Sequence, residues 1–117
     1  MLLVIDDNRE LADLWCECLL REQYEAAAAY SGEEGLALAK ERKPRVILCD
    51  VRMPDLSGHD VARQVRSDEE LRDIFLVAVS GYSSEEDVRR SLQAGFDVHL
   101  SKPLKIEVIK ELLHNRT

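Results

Sequence analysis

The sequence predicts an α/β fold in which five parallel strands form a doubly wound sheet covered by five helices. Short apolar runs alternate five times with longer segments whose apolar residues recur at helical spacing. The short runs are apolar at nearly every position, which is typical of strands buried on both faces of a parallel sheet. Helices on both faces supply that cover, and right-handed crossovers leave only a few doubly wound strand orders.

The first strand and the first helix have the plainest signals. Met1–Ile5 is wholly apolar and ends in acid at Asp6. Arg9–Arg21 follows with apolar residues at i, i+3, i+4, i+7 and i+8, the spacing of a helix face that packs on a core. The residues on that predicted face are Leu11, Leu14, Trp15, Cys18 and Leu19.

The second strand and helix are marked by local chemistry. Tyr24–Tyr30 contains four alanines but is too short for an independent helix, so we predict an edge strand. Ser31 opens a capping box in which its hydroxyl and the Glu34 carboxylate are available for reciprocal bonds. The helix is predicted to run to about Arg42 and to end before Pro44.

The second half of the chain repeats the pattern three times. The predicted strands are Val46–Cys49, Phe75–Val79 and Val98–Leu100. The predicted helices are Gly58–Ser67, a segment from the Ser83–Glu86 cap to Gly95, and a last one carrying Ile106, Ile109, Leu112 and Leu113. Gly95 suits the left-handed C-cap of its helix.

Length and charge limit the function classes. With 117 residues, 45% of them hydrophobic, the chain can bury one core, so we expect one domain over residues 1–117. A formal net charge of −7 argues against direct binding to nucleic acid or to a membrane. The opening run is too short for a signal peptide or a membrane span, and three cysteines without C-x-x-C spacing suit a cytoplasmic location.

Four of the predicted strands are followed by polar side chains that could form one site. Asp6 and Asp7 follow the first strand, Asp50 the third, Ser80 the fourth and Lys102 the fifth. The carboxyl ends of parallel strands lie on one edge of a sheet, so these groups are expected to converge there. Each residue alone would be uninformative, and the inference depends on the set.

The chemistry of this set favours phosphoryl transfer. Two carboxylates at about 4 Å repel by about 4 kcal/mol at an effective dielectric constant near 20, so the cluster must take up protons or hold a cation. Oxygen ligands in an incomplete cage favour Mg²⁺. An Asp carboxylate can act as a nucleophile, while Lys102 and Ser80 could contact the transferred group.

These residues resemble the receiver domain of two-component response regulators, and the resemblance covers essentially the whole chain. The matching residues are Asp6-Asp7, Asp50-Val51-Arg52-Met53-Pro54 with Gly58, Ser80-Gly81 and Lys102-Pro103. The resemblance implies a flavodoxin-like sheet with strand order 2-1-3-4-5. It also implies that the Lys102–Pro103 peptide is cis.

The resemblance implies a role for each acidic residue. Asp50 is similar in position to the phosphoacceptor, and Asp6 and Asp7 to the metal-binding pair. Asp50 and the main-chain carbonyl of Arg52 would complete the protein ligands of Mg²⁺, or of Mn²⁺ in its place. The implied function is a phosphorylated signalling switch in a phosphorelay, with no enzymatic activity beyond its own phosphotransfer and dephosphorylation.

The resemblance also implies which residues respond to the phosphoryl group. Ser80 and Lys102 are similar in position to the hydroxyl and the amine that contact it. His99 lies where relatives usually carry Tyr or Phe, so Ser80 and His99 are expected to move inward as the switch. Arg52 and Tyr82 lie two residues after the acceptor and the hydroxyl, and we predict that they tune the acyl phosphate lifetime by shielding it from water.

Partners are implied by the same resemblance. The donor would be a histidine kinase or a histidine phosphotransfer domain docking near the first helix, and an unidentified output partner would contact the fourth helix, fifth strand and fifth helix. Candidate contacts on that face are Arg89, Arg90, Gln93, Lys105 and Lys110. We expect a monomer or a dimer that forms on phosphorylation. The chain ends at Asn115-Arg116-Thr117, so we expect a stand-alone receiver or one cut from a longer protein such as a hybrid histidine kinase.

Three other functions compete with this one. An aspartyl-phosphate hydrolase of the haloacid-dehalogenase type needs an acid where this chain has Arg52. A nucleotide or flavin binder needs a Gly- or Ser/Thr-rich phosphate loop after the first strand, where the chain has acidic residues. A degenerate receiver that acts only as a protein-interaction module stays open, although all the main positions are filled.

Overall fold

The computed structural model describes residues 1–114, in which five parallel strands alternate with five helices; Asn115, Arg116 and Thr117 lie outside the described residues. The strands are β1 Leu2–Ile5, β2 Ala26–Ala29, β3 Val46–Asp50, β4 Phe75–Ser80 and β5 Val98–Ser101. The helices are α1 Arg9–Arg21, α2 Gly32–Arg42, α3 Gly58–Ser67, α4 Glu85–Ala94 and α5 Ile106–His114. The sheet order is β2-β1-β3-β4-β5, which confirms the predicted fold class. Within residues 1–114, no helix has the length and apolar character needed to cross a membrane.

The sheet separates two hydrophobic layers. On one face, α1 and α5 cover alternate strand residues such as Leu2, Val4 and Leu48. On the other face, α2, α3 and α4 cover the intervening residues, such as Leu3 and Ile47. The three inner strands are buried at every position, which explains why their sequences are apolar runs without alternation.

The second strand lies at the edge of the sheet, as predicted, but it is shorter than Tyr24–Tyr30. Only Ala26–Ala29 pairs with β1. The two tyrosines lie outside the ladder and pack as half-buried rings against the core on the α1 and α5 side. The aromatic residues that suggested a longer strand therefore serve packing rather than pairing.

Helix α1 is rotated relative to the predicted core face. Its buried residues are Ala12, Cys16 and Leu19, while Leu14 is 53% exposed. The small side chains of Ala12 and Cys16 let the helix approach the sheet, and other apolar residues lie on its flank. There Leu11, Leu14, Trp15 and Cys18 line a groove beside the loop that leads to α5. Of the five predicted residues, Leu19 is buried in the core and Trp15 packs against it, whereas Leu14 is exposed and Leu11 and Cys18 are half-buried.

The helix caps follow the sequence with one difference. The Ser31 hydroxyl accepts the Glu34 N–H at 3.1 Å, as a capping box requires. The Glu34 carboxylate, however, accepts the N–H of Tyr30 at 3.0 Å instead of the N–H of Ser31. At α4 the cap residue is Ser84, and its partner Asp87 completes a reciprocal box. Gly95 ends α4 with φ of 122°, so the expected positive φ is confirmed.

Arg66 ties several elements together at the end of the sheet opposite the polar residues. Its guanidinium donates to the main-chain oxygens of Gly95 at 2.8 Å, Arg72 at 2.6 Å and Ile74 at 2.8 Å. It also pairs with Asp97 at 2.8 Å, and the same carboxylate oxygen accepts the N–H of Leu76. The C-terminal ends of α3 and α4 are thereby fixed to the start of β4.

Candidate functional site

Three carboxylates converge at the C-terminal edge of the sheet. Ligand oxygens of Asp6, Asp7 and Asp50 all lie within 4.8 Å of one another. Asp6 and Asp50 are buried, whereas Asp7 is exposed. A cluster with two buried acids and one accessible acid is open to solvent on one side, so an ion or a small anion can enter it.

The parallel register brings these residues together. Ile5 at the end of β1 pairs with Cys49 of β3, so Asp6 and Asp50 leave neighbouring strands at the same level. On the far side, Asp50 is paired with Val79 of β4, immediately before Ser80. The site is thus a direct result of strand order and register.

Gly58 allows α3 to begin in contact with the acidic cluster. A β-carbon at this position would lie 2.3 Å from the main-chain oxygen of Asp50 and 2.8 Å from Cα of Val51. The Gly58 N–H donates to the main-chain oxygen of Val51 at 2.9 Å. Only a residue without a side chain permits this approach, which fixes the backbone that carries Asp50.

Lys102 supplies a positive charge to two of the three acids. Its Nζ lies 3.1 Å from Asp50 Oδ1 and 3.5 Å from Asp6 Oδ2, and its side chain is 30% exposed. Burial acts to lower the pKa of Lys102, but its bonds to Asp50 and Asp6 outweigh burial and raise the pKa. The lysine therefore stays charged at neutral pH. The peptide that follows, Lys102–Pro103, is cis, in agreement with the resemblance.

One lysine does not balance three acids. Burial, and then the negative charge of Asp6, raise the pKa of Asp50 despite the opposing effect of Lys102. The residual repulsion would be relieved by a cation. Asp6 already accepts the Asn8 N–H at 3.0 Å through Oδ1, so its carboxylate is held toward the cluster. An all-oxygen donor set of this kind fits a hard divalent ion such as Mg²⁺.

Ser80 is buried beside the cluster and holds the loop that follows β4. Its hydroxyl accepts the N–H of Tyr82 at 3.0 Å, and its main-chain oxygen accepts the N–H of Lys102 at 2.8 Å. The hydroxyl is therefore engaged with the loop in this structure. A reorientation of Ser80 toward Asp50 would release the Tyr82 N–H.

Arg52 and Tyr82 form a stacked pair at the mouth of the site. The Arg52 guanidinium carbon lies 3.9 Å from the centre of the Tyr82 ring, and both residues are exposed. Together with Ser80 they line a cleft of about 550 Å³ between the loop after β3 and α4. The predicted use of the Arg52 main-chain carbonyl as a metal ligand stays a prediction.

His99 is hydrogen-bonded on both ring nitrogens. Nδ1 lies 2.8 Å from the hydroxyl of Ser91 on α4, and Nε2 lies 3.0 Å from the Ser83 hydroxyl and 3.1 Å from the Tyr82 main-chain oxygen. The Ser91 hydroxyl also lies 3.3 Å from His59 Nε2 on α3. Sequence reasoning missed His59 and Ser91. The available signal was weak: a serine on the buried side of α4.

The comparisons with known proteins agree on one family. Residues 2–114 match the family model described as response regulator receiver domain. A polar-differentiation response regulator, DivK of Brucella ovis, is 35% identical over 115 residues, covering 95% of this chain and 94% of that protein. The chemotaxis protein CheY4 of Vibrio cholerae has a similar structure, with a TM-score of 0.90, 25% identity and coverage of 97% of this chain and 95% of that one.

A second solved structure is also similar. The signal receiver domain of a signal transduction histidine kinase from Syntrophus aciditrophicus has a TM-score of 0.88 and 26% identity, with coverage of 97% of this chain and 86% of that one. The strand order, the residues at the edge of the sheet and these matches lead to a single assignment. The chain belongs to the response regulator receiver family, the signalling proteins of two-component systems.

Proposed function

We propose that Asp50 accepts a phosphoryl group from a phosphohistidine donor, with Mg²⁺ held beside it by Asp6, Asp7 and Asp50. The observation that supports this most directly is the cluster of three carboxylates with the Lys102 ammonium 3.1 Å from Asp50. We also propose that residues 1–117 act as one receiver domain. The chain is a signalling protein by family.

The chemistry follows from the side chains at the edge of the sheet. An Asp50 oxygen attacks phosphorus and forms the acyl phosphate bond, while the phosphorus–nitrogen bond of the donor breaks. The imidazole nitrogen keeps the electron pair of that bond and takes a proton from water. The Lys102 ammonium offsets charge on the transferred group. Mg²⁺, when bound, would supply further charge compensation. Ser80 then turns its hydroxyl to a phosphoryl oxygen and leaves the N–H of Tyr82, which loosens the loop before α4.

The proposal is tested by incubating the protein with acetyl phosphate and Mg²⁺ and measuring its intact mass. We expect one added phosphoryl group, lost again on standing, and none when a chelator removes the metal. A degenerate receiver would gain no mass under either condition. That alternative is not favoured by the structure, in which the acids and the lysine are all in place.

Mg²⁺ is expected to stabilise the fold more at neutral pH than in acid. The folded state raises the pKa of Asp50, so the stability linked to its protonation is present in acid and is lost as pH rises through the raised pKa. A bound cation offsets the repulsion among the ionised acids. It raises the free energy of unfolding by about 2.7 kcal/mol when its concentration is a hundred times its Kd. Thermal unfolding followed by circular dichroism, across pH and with Mg²⁺ or chelator, measures both effects.

An exposed acid provides the control for this prediction. Asp73 lies near the start of β4, at the other end of the sheet. Asp73→Asn should retain the full response to Mg²⁺, whereas Asp7→Asn should lose most of it. Equal responses in the two variants would contradict the proposed metal site.

Arg52 and Tyr82 are expected to lengthen the lifetime of the acyl phosphate. Their stacked side chains cover the mouth of the site, and replacing both with serine would open it to water. We expect the phosphorylated form to decay roughly fivefold faster, which corresponds to about 1 kcal/mol for a stacked pair. Arg45→Ser, an exposed arginine at the opposite end of the sheet, is the control. An unchanged half-life in the double variant would exclude shielding.

The groove on the flank of α1 is the proposed docking site for the donor. It has a volume of about 490 Å³, and its apolar wall is formed by Leu11, Leu14, Trp15 and Cys18 of α1 with Pro103 and Leu104 opposite. Asp50 and Lys102 lie along the same groove. A helix with apolar side chains could therefore seat here with its histidine directed toward Asp50.

Leu14→Asp is expected to reduce phosphotransfer from a kinase or phosphotransfer domain by about tenfold, because a charge would be buried in the apolar contact. The reaction with acetyl phosphate, which needs no docking, should be unchanged. Leu92→Asp, on α4, is a matched control because the two leucines are exposed to similar extents, 53% and 48%. An equal loss of phosphotransfer in the two variants would argue against the groove as the docking site of the donor.

The output face is proposed to comprise α4, β5 and α5. The candidate contacts on it, all exposed, are Arg89, Arg90, Gln93, Lys105 and Lys110. Lys110 Nζ lies 2.7 Å from the carboxylate of Glu22, the C-cap residue of α1, so this candidate contact is already engaged in an ion pair with α1. Any phosphorylation-dependent dimer would use the same face, which also exposes Leu92 and Val108.

A further inference from the structure

We infer that Ser91 and His59 are positioning residues of the switch, because they extend the contacts of His99 into a latch that joins α3 and α4 to the loop after β4. The name latch refers to Tyr82, His99, Ser91 and His59. The inference rests on the proposed function, since it concerns what must change when Ser80 turns toward a phosphoryl group.

The latch is continuous and lies partly in the core. His99 Nε2 lies 3.1 Å from the main-chain oxygen of Tyr82, and its Nδ1 lies 2.8 Å from Ser91 Oγ. Ser91 is fully buried, and its hydroxyl reaches His59 Nε2 at 3.3 Å. Two helices and one loop therefore share a single chain of hydrogen bonds.

One carbonyl group sets the direction of every bond in the latch. Nε2 of His99 lies 3.1 Å from the Tyr82 oxygen, which can only accept, and 3.0 Å from the Ser83 hydroxyl, which can also accept, so a proton on Nε2 satisfies both contacts. A neutral His99 then accepts at Nδ1 from the Ser91 hydroxyl, and the Ser91 oxygen is left to accept from Nε2–H of His59. Burial, followed by the charge of Arg63, lowers the pKa of His59, so this ring is neutral at pH 7. The geometry thus assigns one tautomer to each histidine.

The charged groups around the latch leave this assignment intact. Asp87 and Arg90 of α4, and Arg52 of the loop after β3, line the same cleft as His99 and His59. Each of the first two has its own ionic or polar partner, Asp87 with Ser84 and Arg90 with Glu86. Arg52 stacks on Tyr82. The described charged groups that line this cleft therefore take none of the hydrogen bonds of the latch.

The latch is coupled to the phosphorylation site through Tyr82. Its N–H is bonded to Ser80 and its carbonyl oxygen to His99. When Ser80 leaves, the main chain of Tyr82 keeps its bond to His99, and an inward movement of His99 would break the bond between His99 and Ser91. The buried Ser91 hydroxyl would then lose the acceptor of its proton, and His99 would lose the donor at Nδ1, so the latch favours the resting state.

Removing the latch should therefore favour the phosphorylated conformation. Beryllofluoride with Mg²⁺, an acyl phosphate mimic, is the probe. Ser91→Ala keeps a good helix former and removes the central hydroxyl, and we expect it to bind beryllofluoride roughly fivefold more tightly. His59→Phe removes only the outer link and keeps the edge contact with Phe96, so about a twofold effect is expected. Ser67→Ala, an exposed serine of α3, is the control and should be neutral.

Two measurements test the latch: the affinity of each variant for beryllofluoride and the tautomers of the two histidines. Long-range ¹H–¹⁵N spectra of the unmodified protein should show Nε2–H on both histidines at rest and a change at His99 with beryllofluoride. Tighter binding by Ser91→Ala supports the latch, while unchanged or weaker binding, or Nδ1–H on His99 at rest, overturns it. If the unmodified protein shows the tautomers but binds no beryllofluoride, both the proposed function and the switching role of the latch fail.

Discussion

Asp50→Asn is expected to abolish phosphoryl acceptance from acetyl phosphate and from any histidine donor. The amide has no anionic oxygen to attack phosphorus, and no other described acid has the same surroundings: Asp6 is held by the Asn8 N–H and Asp7 is exposed. The loss should be complete within the detection limit of intact-mass measurement.

The same variant should be more stable than the parent protein when metal is removed. Burial and the nearby charge of Asp6 disfavour an ionised Asp50 in the folded state, and the neutral amide removes that penalty. If Asp50→Asn is not phosphorylated but melts at a higher temperature than the parent protein, the variant has lost the phosphoacceptor and kept the fold. Asp73→Asn should leave both phosphorylation and stability close to those of the parent. Phosphoryl incorporation by Asp50→Asn would refute the assignment of the acceptor.

Arg66→Met is expected to lower the free energy of unfolding by about 3 kcal/mol. The methionine keeps much of the apolar stem but leaves three main-chain oxygens and the Asp97 carboxylate without their donor. Losing hydrogen bonds at partly buried acceptors costs about 1 kcal/mol or more each, and some of this is recovered by water. Urea unfolding followed by circular dichroism measures the difference.

Arg63→Met is the matched control for this prediction. It lies on the same helix, its side chain is 61% exposed, and it pairs with Asp60 in an i, i+3 contact. Such exposed pairs contribute less than about 1 kcal/mol. A similar loss in the free energy of unfolding for the two variants would mean that the hydrogen bonds of Arg66 do not stabilise the fold.

The strands and the edge residues could be predicted because their signals are local. An apolar run followed by a polar residue marks both a buried strand and its end. In a parallel sheet, all the strands end at the same edge, so the polar residues that follow them lie there together. This is why Asp6, Asp50 and Lys102 could be placed on one edge before the structure was known. Their roles in phosphotransfer stay predictions until they are tested.

Features that depend on packing between elements could not be predicted in this way. The apolar residues of α1 predicted the helix and only part of its core face, because the small residues Ala12 and Cys16 lie against the sheet and turn Leu14 toward solvent. Glu34 bonds to Tyr30 because the preceding strand brings that N–H within reach. Ser91 and His59 meet only because α3 and α4 are neighbours, and sequence spacing contains no trace of that contact.

Trp15 gives this protein a built-in optical reporter. It is the only tryptophan in the sequence, and it lines the groove that also contains Asp50 and Lys102. Indole emission responds to nearby charge and to solvent, so excitation of the unlabelled protein would report on metal, phosphoryl group or donor helix at this groove. Rapid-mixing kinetics of each binding event could then be recorded without any introduced dye.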